Sequence, residues 1–291
     1  MNLYLLRFDR AHTRRAYRND LVAFFGTESI SIELARTVSF VDVNEHVRRS
    51  ELSGLKPSTL RRRIAALRGF FSWLVALGAL ERNPADRHVV RKIRSGHYAD
   101  NALSVLTRTQ ARALIECVDL TQPSGRRDRT LLLMLLHCVL RRSEAAAMQV
   151  EHLRQVGAYW VLNLPQAKGG SDQYVKVPDF IKEEMNAHLA EYQIPTGYIW
   201  KSFSNNSYGR PLSDRSIYTI VNKYAVKSGL TSTIGAHTLR HTGCTLAIEN
   251  GASLQQVQAH ARHMRIETTM VYIHQRDRLR DSAADRIRLD G

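Results

Sequence analysis

His237-Thr238-Leu239-Arg240-His241-Thr242 opens, and Ala261-Arg262-His263-Met264-Arg265-Ile266-Glu267-Thr268-Thr269-Met270-Val271-Tyr272-Ile273-His274 closes, the stretch in which the chemistry of this chain concentrates. His237 and Arg240 stand three apart, a spacing that puts both on one face of a helix, with Thr238 a candidate cap. Tyr272 follows His263 by nine positions. A phenol with an ordinary pKa of ~10 is a poor nucleophile unless cations lower that value or a base takes its proton. Attack on a phosphodiester also needs neutralisation of the charge growing on the non-bridging oxygens and an acid for the departing oxygen. Two donors, a third donor and one phenol make a set suited to that attack without a metal. The His-x-x-Arg pair alone is weak, because chance produces many.

Composition supplies the attraction to a polyanion. The chain has 291 residues, with 42 Lys+Arg against 27 Asp+Glu and a net charge of +15. Each phosphate neutralised by such a surface releases condensed counterions, so nucleic acid is the expected partner. Arg outnumbers Lys, and a planar guanidinium grips phosphate oxygens bidentately where an ammonium offers a point charge. With 44% hydrophobic residues the chain can bury real cores. Its length suggests two domains at ~100–200 residues each. Cys117, Cys138 and Cys244 are odd in number and widely spaced, which fits buried thiols in a reducing compartment better than a disulfide frame or zinc site. The apolar start Met1–Leu6 is too short for a signal segment, and Leu131–Leu136 is far below the ~18 residues that span a bilayer. A soluble, cytoplasmic, nucleoid-associated protein with no membrane partner is expected.

Outward from the opening stretch, the pattern is mostly helical. Thr13 is placed to cap a helix carrying Tyr17, Leu21, Phe24 and Phe25 on one face. Pro57-Ser58 opens a second long helix with Leu60, Ile64, Leu67, Phe71 and Leu74 as its apolar stripe, stopped at Gly78. Arg61, Arg62, Arg63 and Arg68 fall mostly off that stripe and read as a phosphate-facing surface, the alternative being a merely solvated face. Arg91 to Leu103 is basic and aperiodic, with Gly96 and Asn101, and reads as a linker. Thr107-x-x-Gln110 fits a capping box opening the next domain. Residues 126–149 read as two helices meeting near Arg141, with Ser143 as N-cap. Tyr159–Leu164 and Gln173–Val177 read as strands of a hairpin with glycines at its tip. Asn250-Gly251 ends one helix and Ser253-x-x-Gln256 caps another. The expected plan is mainly α: an all-helical domain over 1–92, a linker over 93–105, and a mostly helical domain over 106–291 with one small antiparallel sheet.

Two more residues join the candidates. Arg141, in Leu140-Arg141-Arg142-Ser143-Glu144, follows an apolar helix, and a partly buried arginine there needs a carboxylate or a phosphate. Glu144 is its built-in structural partner. Lys168, at the glycine-rich hairpin tip, is an ordinary solvated turn residue unless it reaches into a groove to protonate a leaving oxygen. The histidine pairs His237/His241 and His260/His263 have helical ligand spacing, but no Cys or carboxylate is arranged to complete a tetrahedral metal set.

In this order and context, the residues resemble the tyrosine recombinase (phage integrase) family, compact two-domain type, similar to Xer-like recombinases and transposon integrases or resolvases. Arg141 in Leu-Arg-Arg-Ser-Glu, Lys168 in Lys-Gly-Gly, His237 and Arg240 in His-Thr-Leu-Arg-His-Thr, and His263 and Tyr272 carry the likeness over residues 106–275. Thr13-x-x-x-Tyr17-x-x-Asp20-Leu21-x-x-Phe24 is similar to the family's core-binding domain. The resemblance implies that Tyr272 attacks the scissile phosphate to give a 3′-phosphotyrosyl link and a free 5′ hydroxyl. It implies that Arg141 and Arg240 clamp the non-bridging oxygens, Lys168 is the general acid, His237 a base or proton shuttle, His263 a further donor, and Glu144 an orienting neighbour. No metal or other cofactor is implied. The partners implied are duplex DNA with inverted-repeat core sites and a homotetramer on two duplexes. The stripe Leu279, Ala283 and Ile287 in the tail would dock into a neighbouring protomer.

Two positions depart from the family pattern. Val139 stands where a glycine commonly precedes Leu-Arg, and Ala261-Arg262 where Leu-Gly commonly precedes the histidine. An arginine at a helix end removes the easy left-handed cap, which puts that turn in question. The expected role is recombination for a bacterial mobile element, with chromosome or plasmid dimer resolution as the alternative. From other classes, a non-cleaving architectural protein and a relaxing topoisomerase remain, the first disfavoured by the presence of all six groups.

Overall fold

The chain separates into two compact units, Met1–Ala102 and Leu103–Gly291. The computed structural model describes residues 1–9, 11–93, 105–164, 173–266 and 268–270, with only the backbone of His12. Lys168, Tyr272, the hairpin tip, residues 94–104 and the tail from 271 lie outside the described residues.

The first unit is all helical: α1 (Asn2–Leu5), α2 (Ala11–Phe25), α3 (Ile32–Arg36), α4 (Phe40–Leu52) and α5 (Pro57–Ala76). Pro57 opens α5 because its missing N–H would have no partner in a first turn anyway. The five stripe residues of α5 are all buried, packed with Leu21 of α2, Val43 and Val47 of α4, and Tyr4 of α1. Each such side chain removed from water contributes roughly 1.5–3 kcal/mol, so the stripe and not helix propensity holds this unit. Two expectations change here. A short helix precedes residue 11, and Thr13 lies inside α2 instead of capping it. Ala11, a strong helix former, extends the ladder past the candidate cap.

The second unit contains α6 (Arg108–Glu116), α7 (Gly125–His137), α8 (Arg142–Ala146), α9 (Asp179–Glu191), α10 (Asp214–Lys227), α11 (Ala236–Glu249) and α12 (Leu254–Ala261). Its sheet runs β1 (Leu153–Val156), β2 (Tyr159–Leu164), β3 (Gln173–Val177), antiparallel throughout. Thr107 caps α6 through the expected box with Gln110, and Ser253 caps α12 with Gln256. Helix α7 is apolar all round over Leu131–Leu136, and every one of those side chains is buried. It is the central post of the unit, with α6, α9 and α11 packed around it. The register pairs Leu162 with both Leu153 and Val175, and Leu162, Leu164, Val175 and Val177 turn to the core. Strand β1 was not read from sequence, because three of its four residues are exposed and no apolar alternation marks it.

Helix α11 crosses α7 in backbone contact. A Cβ added at Gly243 would fall 2.1 Å from the Leu136 carbonyl oxygen and 2.8 Å from Val139 Cγ1. That crossing carries the first turn of α11 to the C-terminal end of α7, where Arg141 follows. Among the described residues no helix is long and apolar enough to cross a membrane. The three cysteines are unbridged; Cys138 and Cys244 are buried, whereas Cys117 is only half-buried.

Candidate active site

Arg141 occupies the N-cap of α8, the place expected for Ser143. The reason lies in Glu144 at the third helical position, whose Oε2 accepts the Arg141 backbone N–H at 2.7 Å. Oε1 of the same carboxylate accepts from the Arg141 guanidinium. Half of a capping box and an ion pair thus fix the start of α8 and the root of Arg141 together. The Arg141 side chain retains 28% of its accessible surface, so its guanidinium reaches the open side of the site.

Arg240 enters from the first turns of α11 and is 2% exposed. Its guanidinium donates to the carbonyl oxygens of Val139 and Ala261, joining the residues after α7 to the end of α12. Burial, then the charges of Arg141 and Arg262, lower its pKa to about 10, so it stays cationic at neutral pH. Thr238 does not begin the helix: Gly235 is the N-cap, and the Thr238 hydroxyl accepts the Gly235 N–H at 3.4 Å.

Arg262, a departure from the family pattern by sequence, lies inside the site. It ends α12 in the left-handed conformation, φ 55° and ψ 47°, so the turn a glycine would make is kept. Its backbone N–H reaches the Ala259 carbonyl at 3.0 Å, closing α12 without a glycine. Its side chain turns inward, donating to Glu144 Oε2 at 2.8 Å, His260 O at 2.9 Å and Val139 O at 3.3 Å. Burial would push the Glu144 carboxyl up, but the Arg262 charge and the bonds from Arg141 hold it below the usual carboxylate range.

His263 follows directly, half-buried, with Nδ1 2.9 Å from the buried Thr269 hydroxyl. Desolvation, then Arg240 and Arg141, bring its pKa down to about 4. His237 is exposed at the start of α11, its ring stacked on His241 at 6.2 Å. Desolvation by the surrounding protein, then Arg240, Arg141 and Arg142, lower its pKa as well. Both rings are therefore expected neutral near pH 7. A cleft of about 410 Å³ lined by Gln173, Tyr174, Gln255, Gln258, Arg262 and His263 opens beside His263. Among the described residues, no group of three His, Cys, Asp or Glu side chains is arranged to hold a metal ion.

Arg141, His237, Arg240 and His263 are thus brought to one place from three segments. Two guanidiniums there, those of Arg141 and Arg262, share one carboxylate, Glu144, while Arg240 beside them donates to backbone carbonyls. The four arginines of α5 sit elsewhere, in the first unit. Arg62 pairs with Asp20, itself 2% exposed, and Arg63 Nε lies 3.9 Å from the same carboxylate. Arg68 donates from Nε to the Ala85 carbonyl at 3.0 Å, and Arg61 is half-buried. Part of this arginine run thus ties α5 to α2.

Known proteins resemble this chain over most of its length. The Phage integrase family matches residues 104–278, and the phage integrase N-terminal SAM-like domain matches residues 3–78. Tyrosine recombinase XerC of Thermodesulfovibrio yellowstonii is 31% identical over 281 residues, 94% of this chain and 89% of that protein. Among solved structures, XerH site-specific recombinase bound to palindromic difH substrate aligns with a TM-score of 0.69 at 21% identity, covering 94% of this chain and 79% of that one. The Tn1549 transposon integrase in complex with circular intermediate DNA aligns with a TM-score of 0.67 at 18% identity, covering 97% and 95%.

Proposed function

The chain belongs to the phage integrase family and is a tyrosine recombinase, an enzyme of site-specific DNA recombination; on that premise we propose how its residues act. The Tyr272 oxygen attacks the scissile phosphorus, forming a P–O bond to the phenol and breaking the P–O5′ bond, which leaves a 3′-phosphotyrosyl link. The phenolic proton passes to neutral His237, and Lys168 gives a proton to the departing 5′ oxygen. Religation reverses these transfers with a 5′ hydroxyl from the partner strand, so no high-energy cofactor is consumed. Arg141 and Arg240 neutralise the non-bridging oxygens, for which the forked guanidinium is suited. His263 acts in the tautomer that carries its proton on Nε2, which the Thr269 hydroxyl 2.9 Å from Nδ1 can support as a donor, and gives that hydrogen bond to the same phosphate.

The observation that carries this reading is the excess of cation over carboxylate in a shielded place. Three arginines around one glutamate are costly to keep desolvated unless an anion joins them. A phosphodiester supplies that anion, and its lower dielectric surroundings strengthen the stabilisation of the transition state. Arg62, exposed on α5 beside Asp20, together with Arg61, Arg63 and Arg68, contacts backbone phosphates of the same duplex. The working assembly is a homotetramer on two duplexes carrying inverted-repeat core sites, within the cytoplasm.

The role we favour is integration or resolution for a mobile element, supported by the Ala261-Arg262 departure beside the histidine. Dimer resolution is the second reading, favoured by the likeness to XerC over nearly the whole chain. The test is recombination between two copies of a short inverted repeat found beside the gene, run next to plasmid relaxation. Site-dependent product is expected. Relaxation of any supercoiled plasmid without recombinant product would point to a topoisomerase instead.

A further inference from the structure

Three non-glycine residues among those described adopt positive φ, and two of them face each other across the site: Val139 at 43° and Arg262 at 55°. A β-branched residue in that region is an outlier that persists only where its surroundings hold it. Here the hold is visible. The Val139 carbonyl accepts from both Arg240 and Arg262, and Arg262 in turn grips Glu144. Gly243 of α11 closes in on the Val139 side chain and the Leu136 carbonyl, so the helix behind Val139 packs against it without spare room.

We propose that Arg262 is a positioning residue of the recombination reaction: its buried guanidinium neutralises Glu144 from the inner side and shares the Val139 carbonyl with Arg240, so that Arg141 and Arg240 stay aimed at the scissile phosphate. Its side chain is 3% exposed, so Arg262 itself does not reach DNA. Its influence passes through Glu144 and Val139. Glu144 offers two oxygens to two arginines. Without Arg262, Arg141 alone would answer a buried carboxylate, and a closed one-to-one pair holds a phosphate less strongly than a guanidinium whose partner is already neutralised. The backbone strain at position 262 is thus retained for a charge that a glycine cannot carry.

This inference rests on the reading of Arg141 and Arg240 as the phosphate clamp, and the experiment separates the two. Arg262→Gln, Arg262→Lys and Arg262→Gly are compared with Arg141→Ala in single-turnover cleavage of a nicked duplex carrying the recombination site. Binding of the same duplex and thermal melting are measured alongside. Arg262→Gln is expected to slow saturated cleavage about tenfold or more while binding stays within about threefold, the size of a lost charge-assisted bond. Arg262→Lys, equally strained but still charged, should recover most of that rate. Arg262→Gly, relieved of the strain, should remain as slow as Arg262→Gln. Cleavage by Arg262→Gln within about threefold of wild type, Arg262→Lys as slow as Arg262→Gln, or Arg262→Gly at full rate would each overturn the proposal. If Arg262→Gly does not fold, the Lys and Gln variants decide alone, because both keep a polar side chain and the same backbone strain. Full cleavage by Arg141→Ala would defeat the clamp reading itself. A dead Arg141→Ala beside a full-rate Arg262→Gln defeats only the role of Arg262.

Discussion

Arg141 and Arg240 serve one phosphate from different depths, and that difference is measurable. Removing a donor to a developing oxyanion costs about 10²–10³ in rate, so Arg141→Ala and Arg240→Ala should both lose nearly all cleavage. Only Arg240 also satisfies two carbonyls, those of Val139 and Ala261. Arg262 still answers the Val139 carbonyl in Arg240→Ala, so the Ala261 carbonyl is the one that loses its side-chain donor, at roughly 1–3 kcal/mol or a fall in Tm of about 2–10 °C in a unit of this size. Arg141→Ala should melt close to wild type, because Arg262 still answers Glu144. Equal melting of the two variants would contradict the described geometry. The histidines set a pH limit at the same scale. His188, His241 and His263 each have a pKa lowered to about 4, and the His188 Nε2–H is bonded to the Ile199 carbonyl in the neutral form. In the unfolded chain these rings titrate near ~6.5, so between those values the unfolded state binds more protons. Their contribution to stability is full above about pH 6.5 and is lost as the pH falls toward 4. Calorimetry should show Tm dropping from pH 7.5 to pH 5; a flat profile would refute this assignment.

At the level of elements, the crossing of α7 and α11 sets the site. Gly243→Ala would push a methyl group into the Leu136 carbonyl, a backbone atom that cannot swing aside. Overpacking of this kind costs about 1–3 kcal/mol, and the displaced helix carries Arg240 one turn earlier, so cleavage should fall with stability. A variant that melts and cleaves like wild type would show that the crossing tolerates separation. Much of this architecture was legible beforehand. The α5 stripe, the Thr107 and Ser253 caps, and both strands of the Tyr159–Val177 hairpin followed from local periodicity and capping chemistry. What stayed hidden depended on distant partners. Arg141 displaces Ser143 as cap because Glu144 answers its N–H, and β1 carries no alternation because it lies on the solvent side. An arginine at the end of α12 reads locally as solvated, yet Arg262 turns inward to a carboxylate 118 positions away. The α5 arginines read as a phosphate face, while two of them also answer Asp20 on α2.

For the whole molecule, a net charge of +15 spread over two units implies binding governed by counterion release. A protein contacting about 6–10 phosphates loses roughly 10³–10⁵ in affinity between about 50 and 200 mM salt. Titrations of a core-site duplex should show such a slope, and a salt-independent affinity would rule out the phosphate-tracking surface. Chemistry, not binding, remains the central claim, and it converges on one atom. Incubation with a nicked duplex that lets the 5′ fragment escape should trap wild-type protein as a covalent adduct, with peptide mass spectrometry locating the nucleotide on Tyr272. Tyr272→Phe should bind the same duplex and yield no adduct. An adduct that persists in that variant, or one mapped to another residue, would contradict the account.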